Sequence, residues 1–464
     1  MLRKFSPQIL TLATFVIVAS TLPSIANAQS YTPHAIRADK VELLADTAPD
    51  ATARFGCELK KFNLTKGLFC YGPAAIRQAY GIDKLIAAGL DGTGQTIVII
   101  DAYGSPTVEK DLAAFDAIFG LPAPPSFQQI HMPGSTPFDF TSNNQLNWAE
   151  EVSLDVQWSH AMAPGANIIV VAAASNQNAD MLAAQNFAID AHLGKIMSES
   201  FGESELALLQ DGPAGQADLD ANEISYKRAR ENHMSVFVSA GDSGVAGVNL
   251  NGVLQAGPVA QYPASSPNVT TVGGTNLFFG TSTNADPNGS YIGEVVWNDG
   301  FGAGGGGISQ AFKLPNFQEH LPQPVLGQLA RHRGYPDVAY NAGVVGGVIV
   351  HLGFLPGLPA AGGNFIFGGT SAGAPQWAGL ASLANQAAGK PLGALNKRLY
   401  KLGRDGALST FMHDITLGDN GFIGVTGFPA TANWDLATGW GTPNAGLVQQ
   451  LINDDQDDDN GTDD

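Results

Sequence analysis

The run Gln95-Thr96-Ile97-Val98-Ile99-Ile100 is apolar without alternation from Ile97 onward and closes on Asp101. A strand with one face in water alternates polar and apolar residues, so a continuous run is expected of a strand buried on both faces. Such a strand needs helices packed above and below it. The pattern supplies them: helices are expected at 74–80, 111–119, 148–163 (stopped by Pro164-Gly165), 179–192 and 217–232, with strands at 167–173, 195–198, 235–240 and 269–272. Strands alternating with helices join through right-handed crossovers into a mostly parallel sheet flanked by helices, an α/β fold. Ligands then sit beyond the carboxyl ends of the strands, which points to Asp101, to residues 198–202 and 241–244, and to the turn before Ser371. After Gly274 the chain is Gly-rich, with 302–307 the extreme, and reads as irregular up to that turn.

The first 28 residues carry Arg3 and Lys4, an apolar run from Ile9 to Ile25 broken by Ser20, Thr21 and Pro23, and then Ala26-Asn27-Ala28. This is the pattern of a secretory signal peptide cut after Ala28. The mature protein is expected to be exported, extracellular or periplasmic, with no later segment long and apolar enough to span a bilayer. Cys57 and Cys70 are the only cysteines; in an exported chain they are expected to pair, closing a short loop worth about 3 kcal/mol in chain-entropy terms. With 42 acidic against 23 basic residues, nucleic acid and anionic membranes are poor partners. Residues 29–66 read as a polar, irregular N-terminal extension, 67–450 as one folded domain, and 451–464 as an acidic, disordered tail. The spacing of Asp455, Asp457 and Asp459 in that tail hints at a calcium loop, but Asn460 stands where its turn glycine belongs.

Gly368-Gly369-Thr370-Ser371-Ala372-Gly373-Ala374-Pro375 ends the Gly-rich region and opens an Ala- and Leu-rich helix. A serine there sits at the positive end of a helix, beside glycines that let another backbone approach. The octapeptide alone fits a helix cap as well as a nucleophile. A nucleophile needs a base, and none of the nine histidines has a suitable setting; His160 reads as a cap or core residue. Glu151 and Asp155, four apart on a helix, project from one face, where two carboxyls can share a proton and divide the work of base and orienting partner. Asp242 follows the buried run 236–240 within a turn bounded by Gly241 and Gly244. Protonated, it would be a hydrogen-bond donor to a developing oxyanion; as a turn residue it needs no such role.

Glu151 with Asp155, Ser239-Ala240-Gly241-Asp242 and Gly369-Thr370-Ser371, in this order, resemble the sedolisin family of serine-carboxyl peptidases, whose fold is subtilisin-like. Further landmarks are Tyr71-Gly72, Ile76-Arg77-Gln78-Ala79-Tyr80-Gly81, the strand ending at Asp101, Tyr262-Pro263-Ala264-Ser265-Ser266-Pro267 and Tyr335-Pro336-Asp337-Val338-Ala339. The resemblance implies Ser371 as nucleophile, Glu151 as general base and acid, Asp155 as its partner and Asp242 as oxyanion donor. Asp101, at the end of its strand, would either extend the carboxylate network or only cap the strand end, and Glu150 would be a neighbour without a role. It implies substrate pairing along 198–202, through Ser198, Ser200 and Gly202. It also implies one Ca2+ held by Asp414 and Asp435 side chains and by the carbonyls of Ile415, Thr431 and Asn433, although the family usually has glycine at the last two positions.

The function expected from the resemblance is a secreted, monomeric, acid-active endopeptidase taking polypeptide substrates through an acyl-enzyme on Ser371 and losing activity toward pH 7 as Asp242 ionises. A tripeptidyl exopeptidase of the same family and a non-cleaving binding protein on this scaffold are the alternatives. Members of the family usually carry a long folded propeptide, whereas about 40 residues separate the expected signal cut from the domain.

Overall fold

The computed structural model describes residues 30–43, 55, 57–58, 68–280 and 290–458, the last five without their side chains. The expected signal peptide lies outside the described residues, as do the side chains of Asp455, Asp457 and Asp459.

Thr96–Ala102 is the inner strand of an eight-stranded sheet. The sheet runs in the order Ser290–Val296, Thr270–Gly280, Ser235–Ser239, Ile196–Glu199, Thr96–Ala102, Asn167–Ala173 and Phe127–His131, with Val338–Asn341 also paired to Thr270–Gly280. Every pairing is parallel except that of Ser290–Val296. Ile97 and Ile99 point into one hydrophobic core, with Val152, Trp377 and Leu380, while Val98 and Ile100 point into another, with Met181, Leu219 and Tyr226. Burial on both faces is what the unbroken apolar run required. The α/β fold with a mostly parallel sheet between helices is therefore as the sequence implied.

Two helices in the first core carry the site. Asn143–Met162 starts five residues before its expected position because the Ser142 side chain caps it, accepting a bond from the Gln145 N–H at 3.3 Å. From Trp148 to Met162 all its residues are buried, polar ones included, as in a helix covered all round rather than one with a wet face. It packs on the serine helix, Gly373–Ala388. The two approach closely at Gly379, where a Cβ would fall 2.5 Å from that of Met162.

The region after Gly274 departs from the expectation of irregular chain. The strand begun at Thr270 continues to Gly280, and Gly274 belongs in it because Trp297 and Ala342 pack where a side chain would stand. Gly347–Leu352 and Gly363–Gly368 form a hairpin leading into the Ser371 turn. The N-terminal extension departs too. Thr32–Pro33 and Ile36–Val41 are strands; the second pairs antiparallel with Gly363–Gly368 in a four-stranded sheet that also holds Cys70–Tyr71. Cys57 and Cys70 form a disulfide. The last helix, Gly446–Asp458, reaches into the segment expected to be disordered, because Leu447, Val448 and Leu451 bury one face against the first core.

Candidate active site

Glu151 and Asp155 lie one turn apart on the capped helix and are fully buried. Burial, before any neighbouring charge, pushes both carboxyls well above the usual carboxylate range, and the Asp155 charge raises Glu151 further. Asp155 Oδ1 accepts the Ser200 hydroxyl at 2.9 Å, and its Oδ2 is buried without a partner. Asp101, at the end of the central strand, has both carboxyl oxygens buried and unpartnered; burial raises it, then Asp155, Glu151 and Glu199. Three acids packed this way cannot all be ionised.

Ser371 lies in a single 3-10 turn, Thr370–Ala372, that opens the serine helix. Its Oγ and Glu151 Oε1 are both buried and neither closes a well-formed hydrogen bond, yet the hydroxyl lies near enough to favour the Glu151 anion. Thr370 fixes Asp242 opposite: its N–H and hydroxyl donate to Asp242 Oδ1 at 2.7 and 2.8 Å, and its Oγ1 accepts the Gly241 N–H at 3.0 Å. Asp242 Oδ2 is left buried and bare, and burial pushes the carboxyl up to about 8. Below that value the carboxyl carries a proton, and its Oδ2 shares a small space beside Gly369 with the His34 carbonyl oxygen.

The expected residues 198–202 divide. Ser200 and Gly202 reach the cleft, but Ser198 does not: it lies inside the sheet, between Ile99 and Phe237, where neighbouring strands already take its backbone bonds. Pairing with an extended partner begins at Ser200. His160 is a core residue, its Nε2 2.8 Å from the Pro122 carbonyl and 3.2 Å from Asp116. Near the C-terminus, Asp414 and Asp435 converge on one loop, accepting the N–H groups of Asn433 and Thr431 at 2.9 and 2.8 Å. Asn433 adopts φ 67°, the left-handed conformation that explains why glycine suits this position and why asparagine, the side chain most tolerant of it, can replace it. Among the described residues no three His, Cys, Asp or Glu side chains are placed together to hold a metal ion, so a cation at this loop would draw much of its shell from carbonyl oxygens.

Residues 141–401 match the profile of the subtilase family. Kumamolisin from Bacillus sp. (strain MN-32) is 34% identical over 82% of this chain, and sedolisin from Pseudomonas sp. (strain 101) is 30% identical over 75%. The chain belongs to the subtilase family and, within it, to the sedolisins. A solved Pseudomonas sedolisin, described as a serine-carboxyl proteinase complexed with two molecules of pseudo-iodotyrostatin, superposes with a TM-score of 0.70 at 26% identity, over 83% of this chain and 99% of that one. Human tripeptidyl-peptidase 1 is 31% identical over 65% of this chain. The chain spans 64% of kumamolisin's length and 56% of sedolisin's.

Sequence reasoning missed one part of this sedolisin site, the N-terminal segment lying in its cleft. Ala35 N–H donates to Glu151 Oε2 at 2.7 Å, His34 N–H to the Ser200 carbonyl at 3.2 Å, and Thr32 pairs with Gly202. Glu150, expected to have no role, holds Arg37 at 2.9 Å. The alternation in Ile36-Arg37-Ala38-Asp39-Lys40-Val41 was a signal, though a short one.

Proposed function

We propose that this chain is an exported peptidase that cleaves polypeptides through an acyl-enzyme on Ser371 in acid. The observation that carries the reading is the bare Oδ2 of Asp242, a carboxyl held across from Ser371 with its only free oxygen facing the cleft and its pKa raised to about 8. The reactive form is the one in which Glu151 is ionised, helped by the Ser371 hydroxyl and the Ala35 N–H against the upward pull of burial, while Asp155 and Asp101 hold protons; in it Glu151 takes the serine proton as Oγ attacks. The protonated Asp242 donates to the oxygen on which charge develops. Glu151 then returns the proton to the departing amine, and water repeats the sequence on the ester. Asp155 keeps Glu151 in place and is itself held by Ser200.

The acid range follows from Asp242, which opposes the developing charge once ionised. Its value of about 8 belongs to a cleft covered by residues 30–41. Opening that cleft to water lowers the value and brings the upper limit toward neutrality. Ca2+ fits the oxygen donors of the C-terminal loop: the Asp414 and Asp435 carboxylates with the carbonyls of Ile415, Thr431 and Asn433 would hold it, and it would stiffen that loop without entering the reaction. Export rests on the signal-peptide pattern of the first 28 residues; among the described residues no helix is long and apolar enough to cross a membrane.

Endopeptidase action is favoured over tripeptidyl release by the passage of a continuous chain through the cleft. Ser30, Tyr31, Thr32, Pro33 and His34 lie on one side of the Glu151 contact and Ile36–Val41 on the other. A site that releases tripeptides must close after three residues. Product sizes from a long unstructured peptide at pH about 4, with Ser371→Ala as control, test the reading. Internal cuts made by the wild type alone are expected; a stepwise tripeptide ladder would favour the exopeptidase, and equal activity in Ser371→Ala would remove the proposal.

A further inference from the structure

We propose that the turn Phe422-Ile423-Gly424-Val425, with Phe301 beside it, is a ledge outside the cleft on which an apolar segment of the polypeptide substrate docks. The inference rests on the peptidase reading above and names the substrates that the site prefers, unfolded chains rich in apolar residues.

The turn carries the wrong residue for its backbone. Phe422 N–H donates to the Val425 carbonyl at 3.1 Å and Val425 N–H to the Phe422 carbonyl at 2.9 Å, so Ile423 and Gly424 form a two-residue hairpin loop. Both have positive φ, 41° and 86°, as in the turn that selects Asn-Gly. Glycine suits that backbone and isoleucine does not, because its branched Cβ crowds the left-handed conformation. Among the described residues Ile423 is the only β-branched one at positive φ. Packing within the chain does not offset the strain, since Ile423 is 56% exposed. A side chain that neither the turn nor the core calls for is explained by a contact outside the chain.

The tip is exposed, yet its stem is fixed. Val425 is buried with Val245 and Ala246, and the buried Asn420 accepts the Val245 N–H on its carbonyl at 3.1 Å and the Phe428 N–H on its side chain at 2.8 Å. Val245 belongs to the loop that carries Asp242. There Gly244 N–H donates to the Ala303 carbonyl at 2.8 Å, and Ala303 N–H to the Asp242 carbonyl at 3.0 Å. Two residues before Ala303 stands Phe301, 49% exposed, on a turn whose Asn298 side chain donates to the Gly421 carbonyl at 2.7 Å. The hairpin, Phe301 and the Asp242 turn are thus one hydrogen-bonded body, and the ledge is continuous with the substrate cleft. A groove of about 580 Å³ follows the hairpin, lined by Asn298, Phe422, Ile423, Val425 and Pro429, a size that takes a few side chains.

The ledge is also neutral. Residues 243–262, 300–312 and 420–434 contain no Asp, Glu, Lys or Arg, although 14% of the chain is charged and its net charge is −19. The carboxylates at its border, Asp299 and Asp419, accept N–H groups of their own turns, from Phe301 at 3.1 Å and from Gly421 at 2.9 Å. A charged segment laid here would lose water and gain no partner, whereas an apolar one buries Ile423 and Phe301. With no Lys or Arg in these stretches, nothing draws the ledge to an anionic membrane. A polypeptide held in the cleft brings its apolar segments to the ledge at high local concentration, and the fixed stem means that docking orders little of the enzyme.

The test compares three labelled peptides that share one cleavable sequence: a short form, a form extended at both ends by apolar residues, and a form extended equally by polar ones. Turnover by the full chain is measured at pH about 4 with calcium present, and binding to Ser371→Ala by fluorescence anisotropy. The wild type is expected to show a KM about tenfold lower for the apolar than for the polar extension, with kcat alike, and Ser371→Ala to bind the two in the same order. Ile423→Asn, which makes the turn Asn-Gly, is expected to abolish that difference, to leave short-peptide turnover unchanged and to raise the melting temperature by about 2 °C. Phe301→Ser should reduce the difference, and Ile423→Leu should keep it. A residue with a merely structural role would not give higher stability together with lost preference. Equal KM and equal binding for the two extensions, or a preference untouched by Ile423→Asn, overturns the ledge and leaves the peptidase reading standing when the short peptide is cut by the wild type and not by Ser371→Ala. Self-association, or binding to phosphatidylcholine vesicles, that Ile423→Asn removes while the peptide preference stays assigns the face to another occupant and overturns the proposal. If no peptide is cut, the peptidase reading falls and the substrate ledge with it.

Discussion

Asp242 and Asp435 are both turn aspartates in glycine-containing loops, and the molecule uses them in opposite ways. Asp435 spends both oxygens on its own loop: Oδ2 accepts Thr431 N–H, and Oδ1 accepts the N–H groups of Ala437 and Thr438. Asp242 spends one oxygen on Thr370 and keeps the other bare in the cleft. Burial raises both carboxyls, but Asp435, with three amides opposing the shift, reaches about 6 and Asp242 about 8. What separates a structural clasp from a candidate chemical group is thus unspent hydrogen-bonding capacity, more than burial or turn type.

The largest effect that would break the comparison is on turnover. Asp242→Ala is expected to lower kcat by about 10²- to 10³-fold, the usual loss for one oxyanion donor, while Asp435→Ala leaves kcat of the folded fraction close to wild type. Gly369→Ala should match Asp242→Ala, because its methyl would occupy the space between Asp242 Oδ2 and a carbonyl oxygen, on a backbone at φ 113°. Asp242→Asn keeps a donor that does not ionise, so its residual activity should persist at higher pH than the wild type's. Steady-state kinetics on one peptide between pH 3 and 8 check all four variants; a larger kcat loss in Asp435→Ala than in Asp242→Ala would reverse the assignment.

Next is the pH dependence of stability. Glu150 and Glu199 are raised to about 7, and Glu203 and Asp242 to about 8, in each case chiefly by burial. Their unfolded values lie near 4. Between those limits the folded protein holds protons that the unfolded chain has lost, so stability is full below pH about 4 and declines as pH rises toward 8. The slope is at most about 1.4 kcal/mol per pH unit for each group while it titrates. Urea unfolding of Ser371→Ala at pH 4.5 and 7, which avoids self-digestion, should give the higher midpoint in acid. A higher midpoint at pH 7 would mean that these carboxyls are ionised in the fold.

The sheet and the carboxylate helix were legible because their signals are local. Unbroken apolar runs mark Thr96–Ala102 and Asn167–Ala173, and a fixed spacing joins Glu151 to Asp155. Gly363–Gly368 was not legible, since Gly-Asn-Phe-Ile-Phe-Gly becomes a strand only by pairing with Gly347–Leu352 and Ile36–Val41, neither of which is fixed by its neighbours in sequence. Ser198 misled for a related reason. Its segment has the composition of a cleft edge, but only the neighbouring strands decide that the edge starts two residues later. Glu150 looked idle because its partner, Arg37, lies 113 positions away in a segment that reads as irregular.

At the clasp, removing Asp435 leaves three amides without an acceptor, and Asp435→Ala is expected to cost about 1–3 kcal/mol in unfolding free energy. Chelation should lower the melting temperature of the wild type more than that of this variant, if the loop holds Ca2+. A chelator effect of equal size in both would place any bound cation elsewhere.

The smallest effect tests the backbone of the same loop. Asn433 holds φ 67° while its N–H, not its side chain, bonds Asp414. Glycine removes the left-handed penalty without touching that bond, so Asn433→Gly should leave stability within about 1 kcal/mol of wild type. Alanine keeps the bond but pays the steric cost that asparagine partly escapes, and Asn433→Ala should be less stable than the glycine variant by about 1 kcal/mol. Thermal midpoints with and without added calcium rank the three. If alanine equals glycine, the loop does not depend on the left-handed turn, and the clasp at Asp435 is held by its side-chain bonds alone.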